Sequence, residues 1–176
     1  LAELAESVGC ELPEVGPNES EWQVLKQSGE RVRTIGRELE RLENASKELA
    51  QQHLPSLSAL LGPLLAARLS VCAHGRMRLA RLPAGTLQVL GAEKAFFNHL
   101  KTGAPPPKHG HIFMHPWISR APRWQRGKIS RTLASKAIIA ARSDAFGGEV
   151  WGAEQIGKVE AKVQEIRDKY PRAKRG

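Results

Sequence analysis

Four histidines, His99, His109, His111 and His115, lie in one short stretch with lysines and arginines around them. The spacing of His109 and His111 could ligate a metal. Zinc wants three or four ligands in a defined geometry, and no cysteine or acid is close in sequence. The histidines therefore read as caps, stacking rings or RNA contacts, and no metal is expected. Acid–base catalysis needs a pair of carboxylates, yet Glu93 is the one acid between residues 74 and 142. No spacing points to a nucleophilic Ser/His/Asp set. Gly127-Lys128 lacks the upstream glycine and the following Ser/Thr of a phosphate-binding Walker loop, and no Gly-x-Gly-x-x-Gly occurs. The expected protein is not an enzyme and carries no cofactor.

What the cations can do is hold phosphate. Residues 74–142 carry 13 Lys/Arg against that single acid, a balance of +12. Residues 1–50 carry 6 Lys/Arg and 11 Asp/Glu, a balance of −5. Like charges packed this densely repel in the folded state, and a polyanion partner is the usual reason to keep them. On a helix turning about 100° per residue, Lys128, Arg131 and Arg142 fall within roughly 60° of one another, with Ile129, Leu133 and Ala140 near the opposite side. Arg120, Arg123 and Arg126 crowd the start of that helix, where backbone N–H groups also favour phosphate. Trp117 and Trp124 could stack on bases or pack in the core, and packing is favoured for Trp117.

The elements that must position these residues are helices, because apolar positions recur mostly at helical spacing. A first helix is expected over residues 1–8, broken by Pro13, Gly16 and Pro17. Ser20 and Gln23 form an expected capping box for a long helix. Positions 25, 28, 32, 35, 39, 42, 46 and 49 of that helix hold Leu, Ser, Val, Ile, Leu, Leu, Ser and Leu, a heptad stripe. It suits a coiled-coil seam or an amphipathic helix lying on its own domain. From Leu54 the chain is apolar almost all round, with Pro55 at a first helical turn and Gly62-Pro63 as a break. No run of 18 apolar residues occurs, so no membrane span is expected. A small basic helix from Arg76 ends before Pro83, and "TLQVLGAEKAFFNHL" reads as the next, stopped by Gly103. "HIFMHPWISRAPRW" reads as extended or irregular. Pro122 opens a helix to about Ala145, and a last one spans about Val150 to Tyr170, with Ile156, Val159, Val163, Ile166 and Tyr170 on one face. Cys10 and Cys72 share no metal-type spacing and read as inert thiols in a reducing compartment.

The segment from Gly91 to Gly110 joins opposites. A short helix with Lys94 and Lys101 at its edges gives way to three prolines, Pro105 to Pro107, then Lys108 and His109. The prolines limit the conformational entropy lost when those side chains engage a partner.

Three blocks of the chain, "LLGPLLAARL", "LQVLGAEKAFFNHLKTGAPPPKHG" and "SRAPRWQRGKISRTLASKAIIAARSDAFGG", resemble the Nop domain. The likeness runs from about Leu54 to Tyr170, and "PPKHG" and "PRWQRGKI" look most like archaeal members of the box C/D ribonucleoprotein scaffold family. A spliceosomal, pre-mRNA-processing relative is similar but diverges in those blocks. The resemblance implies an all-α Nop domain over 54–176, preceded at 1–53 by part of a coiled coil. It implies a non-catalytic scaffold that recognises a kink-turn RNA together with the ribosomal-type protein bound to it, in particles that direct RNA 2′-O-methylation. Residue by residue, it puts Lys94, Lys101, Lys108, His109, Gln125, Arg126, Lys128 and Arg131 on the RNA. It puts Gly91, Ala92, Glu93, Ala95 and Phe96 against the partner protein. Asn98 stands where the family usually has Arg, and Gly85 where it usually has Ser. Residues 1–53 match only the coil, so fibrillarin binding is not expected of this chain, and coiled-coil self-association is left as an open alternative. The competing functions are a stand-alone Nop protein, a splicing-type protein and a general nucleic-acid binder. The expected location is the cytoplasm of an archaeal cell, or the nucleolus of a eukaryotic one.

Overall fold

A computed structural model describes residues 16–173. The helix expected over residues 1–8, and Cys10, lie outside the described residues. Among the described residues there are nine α-helices, one 3-10 turn and no strand, which agrees with the all-α expectation.

Helix α1 spans Glu19–His53. Its capping box is not Ser20–Gln23 but Asn18–Glu21. The Glu21 N–H donates to Asn18 Oδ1 at 3.0 Å, and the Asn18 N–H donates to Glu21 Oε2 at 2.9 Å. The reason is Pro17, which ends the turn just before Asn18 and leaves that short polar side chain at the cap position. The chain forms two compact units, residues 1–42 and 43–176, and the division falls inside α1. In the first unit the stripe residues Leu25, Val32, Ile35 and Leu39 are each more than half exposed.

The second unit holds the core. Helices α2 (Pro55–Leu61) and α3 (Pro63–Cys72) each begin on a proline, where a missing N–H costs nothing. Gly62, at φ 83°, breaks the apolar run between them and bends the pair by 117°. No single helix among the described residues is long and apolar enough to cross a membrane. Then come α4 (Arg76–Arg81), α5 (Ala84–Val89), α6 (Glu93–Thr102), a 3-10 turn (His111–Met114), α7 (Pro116–Ser119), α8 (Arg123–Phe146) and α9 (Ala153–Lys169). Two sequence expectations are corrected here. "TLQVLGAEKAFFNHL" is two helices, because Gly91 turns at φ 87°. "HIFMHPWIS" is regular, because His115 caps a proline-started turn of helix.

Helix α8 runs through the middle, and α2, α4, α5, α7 and α9 all pack on it. Ile129, Leu133, Ala134, Ala137, Ala140 and Ala141 are fully buried. The alanines let neighbouring backbones approach closely, so several short helices can share one hub. At its far end Asp144 accepts the N–H groups of Ser56 and Leu57, both at 2.9 Å, and so caps α2 from a distance in sequence.

Candidate nucleic-acid interface

The Gly91–Gly110 segment is closed at its base by a backbone clasp. The Gly110 N–H donates to the Gln88 carbonyl and the His111 N–H to the Leu90 carbonyl, each at 2.8 Å. The buried Gln88 side chain donates to the Lys108 carbonyl at 2.6 Å. Both glycines are required by close approach. A Cβ on Gly110 would overlap the Leu90 carbonyl, and one on Gly91 would overlap the His111 ring. Glu93 Oε1 accepts the Gly91 N–H at 2.7 Å. That bond and the residue's own N–H hold the Glu93 carboxyl below the ordinary carboxylate range. Its role is to fix the turn.

From this base α6 projects with no buried residue. Lys94, Asn98 and Lys101 form one stripe, all exposed. About 100° round the helix lies an apolar stripe of Phe96, Phe97 and Leu100, also exposed. Phe96 and Phe97 meet edge to face at 6.5 Å. With Gly85, Thr86, Val89 and Leu90 they line an apolar hollow of about 380 Å³. Phe97 and Leu100 were not among the expected partner contacts; their helical spacing from Glu93 is the signal that finds them. The helix ends as expected on Gly103, in the left-handed conformation at φ 70°. There the His99 ring hydrogen-bonds the Ala104 carbonyl and steers the chain into its prolines.

The histidines each have a contact within the fold. His109 stacks on Phe113 at 4.6 Å, and burial, with Arg126 and Lys108 nearby, lowers its pKa. It is therefore an uncharged ring near neutral pH. His111 is committed to Gly91. Among the described residues no group of His, Cys, Asp and Glu could hold a metal. His115 is 7% exposed, and burial brings its pKa down to about 4. Its Nδ1 accepts the Trp117 N–H at 3.2 Å and its ring also bonds the Leu60 carbonyl. In the unfolded chain the same ring titrates at about 6.5. The unfolded state therefore binds the extra proton first as pH falls. Stability is complete above pH ~6.5 and declines towards pH ~4, by up to about 3 kcal/mol, on the linkage rule. His115→Asn, which keeps a cap acceptor, should flatten that part of the stability–pH curve in denaturant titrations.

The basic residues of α8 do not share one face. Arg126 and Lys128 are about 200° apart on the helix. Arg126 sits 5.3 Å from the Phe113 ring and donates to the carbonyls of Ala121 and Ser119, so it belongs with His109. Lys128 reaches the other way, 4.4 Å from the Tyr170 ring, and Arg131 lies on its side. Gln125, expected on RNA, is 4% exposed. Its amide donates to the Tyr170 carbonyl at 2.8 Å and so ties down the end of α9. Arg142, though exposed, donates from Nε to the Ala80 carbonyl at 3.0 Å and holds α4. Trp124 is 45% exposed and donates to the Tyr170 carbonyl at 3.0 Å, while Trp117 packs on the core beside His115.

Comparison with known proteins fits this arrangement. The Nop family, described as "snoRNA binding domain, fibrillarin", matches residues 7–166, so the match takes in α1 as well as the blocks that carry the resemblance. A NOP5 family protein of Methanocaldococcus jannaschii is 42% identical over 173 residues, covering 98% of this chain and 40% of that one. Nucleolar protein 58 of Lodderomyces elongisporus is 33% identical over 91% of this chain and 31% of its own. Nucleolar protein 56 of Homo sapiens is 50% identical over 95 residues, 54% of this chain and 16% of its own. Among solved structures, one from a fibrillarin/Nop5p complex superposes with a TM-score of 0.63 at 32% identity, covering 94% of this chain and 60% of that one. The chain thus spans 40% or less of these curated relatives and 60% of the solved chain. On sequence and fold together, this chain belongs to the Nop family of snoRNA-binding domains.

Proposed function

We propose that this chain is the RNA- and partner-binding part of a box C/D-type ribonucleoprotein scaffold. It recognises a kink-turn RNA already gripped by its ribosomal-type binding protein. The observation that carries this reading is α6, a helix that buries nothing of its own and sets a lysine stripe beside an apolar one. Neither stripe is useful to the free domain. An exposed apolar patch beside cations suits a composite of protein and RNA. Lys94, Lys101, Lys108 and Arg126 supply charge for phosphate, and the neutral His109 ring supplies stacking or a hydrogen bond. Gly91, Ala92, Glu93 and Ala95 shape the turn, and Phe96 is the anchor against the partner protein. Any methyl transfer belongs to an associated enzyme. The exposed stripe on α1 supports self-association through a coil, read out by the mass of the purified chain in solution.

A gel shift tests the composite. Kink-turn RNA loaded with its binding protein should be shifted strongly, and the naked RNA weakly. Equal binding to naked RNA, or none to the loaded RNA, would overturn the reading. Lys101→Ala should lower the slope of log K against log salt by about 0.9, one phosphate's worth on duplex.

A further inference from the structure

Helices α8 and α9 run antiparallel, since Trp124 and Gln125 at the start of α8 meet Tyr170 just past the end of α9. Between them lies an open groove of about 500 Å³. Lys128, Arg131 and Lys136 line it from α8, Lys162 and Lys169 from α9, and Tyr170 from just past the end of α9. With Thr132 and Ser135 the α8 positions fall at i, i+3, i+4, i+7 and i+8, so that helix turns one continuous stripe into the groove, and Lys162 and Lys169 lie two turns apart on the facing side of α9. Between Lys128 and Lys136 the stripe extends for about 12 Å. Glu165 is the groove's one acid. None of the five cations is ion-paired: the one ion pair among the described residues is Lys158–Glu154. Lys128 covers one approach to the Tyr170 ring, and the hydroxyl of Thr132 adds a polar wall.

We propose that this groove binds the phosphate backbone of a single-stranded RNA segment, as a second RNA surface apart from the α6 face. It rests on the reading of the chain as an RNA binder but not on kink-turn recognition. Five cations against one acid, none of them ion-paired, favour a polyanion. Four of the five are lysines, which meet phosphates as mobile point charges and do not need the paired geometry that carboxylates give arginine. A cationic track with an aromatic ring at one end is how single strands are held without reading their sequence. Arg126, on the opposite side of α8, is not part of it. The two surfaces can therefore be occupied by different parts of one RNA.

The probe is a short oligouridylate, which cannot form a kink-turn. Lys136→Glu with Lys162→Glu should weaken its binding at least about tenfold and lower the single-strand salt slope by about 1.4. Lys101→Ala with Lys108→Ala should leave it within about twofold. Glu165→Lys should tighten it, a gain that misfolding cannot produce. Unchanged affinity in the reversed double variant, or no tightening with Glu165→Lys, would overturn the proposal. So would groove-dependent binding of poly-L-glutamate tighter than that of the RNA, which would assign the groove to an acidic polypeptide. The same variants on protein-loaded kink-turn RNA report separately on the α6 face, so failure of one reading is not failure of the other.

Discussion

Phe96→Ala with Phe97→Ala should leave the melting temperature unchanged and weaken binding to protein-loaded kink-turn RNA by about 30-fold or more, on the scale of aromatic anchors at interfaces. The two halves of this result have one cause. Phe96 is 43% and Phe97 59% exposed, and no residue of α6 is fully buried, so truncating the rings opens no core cavity. Core phenylalanines cut to alanine cost about 3–5 kcal/mol because they leave a cavity, and here there is none to leave. The rings instead hold each other edge to face beside an apolar hollow, an arrangement kept for another surface. Burying such rings against a partner is worth about 2 kcal/mol or more, and only the assembled particle shows it. Thermal melting and a gel shift on the same preparation separate the cases. A fall in melting temperature would make the rings part of this domain's own packing. Unchanged binding would remove α6 from the partner interface.

The parts of this fold legible in the sequence are those with strong local causes. Gly62-Pro63 breaks one helix into two because a ring and a left-handed glycine leave the chain no other course. Gly103 and Gly147 end α6 and α8 in the left-handed conformation for the same reason. The apolar face of α9 is buried where its spacing says, at Val159 and Val163. What was not legible depends on contacts made across the chain. The run from Thr86 to Leu100 has helical character throughout. Its break uses the positive φ of Gly91, and the clasp with residues 108–111 that holds the turn is not encoded by any local pattern. Gln125 reads as one more polar residue in a basic stretch. Its burial waits on the C-terminal end of α9 folding back over it. Arg126 and Lys128 look like one cluster because they are two residues apart, yet helical rotation sends them to opposite surfaces. The lysines of α9 carried no signal of their own, since the groove exists only once the two helices lie side by side.

Gly110→Ala should destabilise this domain by about 2–4 kcal/mol, from overpacking and lost backbone hydrogen bonds. The cause is steric, for there is no room beside the Gly110 Cα. Its added Cβ would fall on the Leu90 carbonyl, with the Val89 carbonyl carbon close behind, and both are backbone. Backbone cannot rotate aside as a side chain can, so the two strands of the clasp must separate. Separation breaks the bonds from Gly110 to Gln88 and from His111 to Leu90, and withdraws the Gln88 amide from Lys108. The base of α6 then loses its fixed direction, and binding to protein-loaded RNA should fall along with stability. Gly85→Ala provides the contrast. Gly85 lies inside α5, with nothing within 4 Å of its added Cβ. There the same methyl should stabilise by about 0.5–1 kcal/mol, because alanine loses less entropy than glycine in a helix. Denaturant unfolding of the two variants should therefore give midpoints on opposite sides of the parent. If Gly110→Ala moves its midpoint no further than Gly85→Ala does, the clasp does not hold the α6 base, and the direction of that helix has another cause.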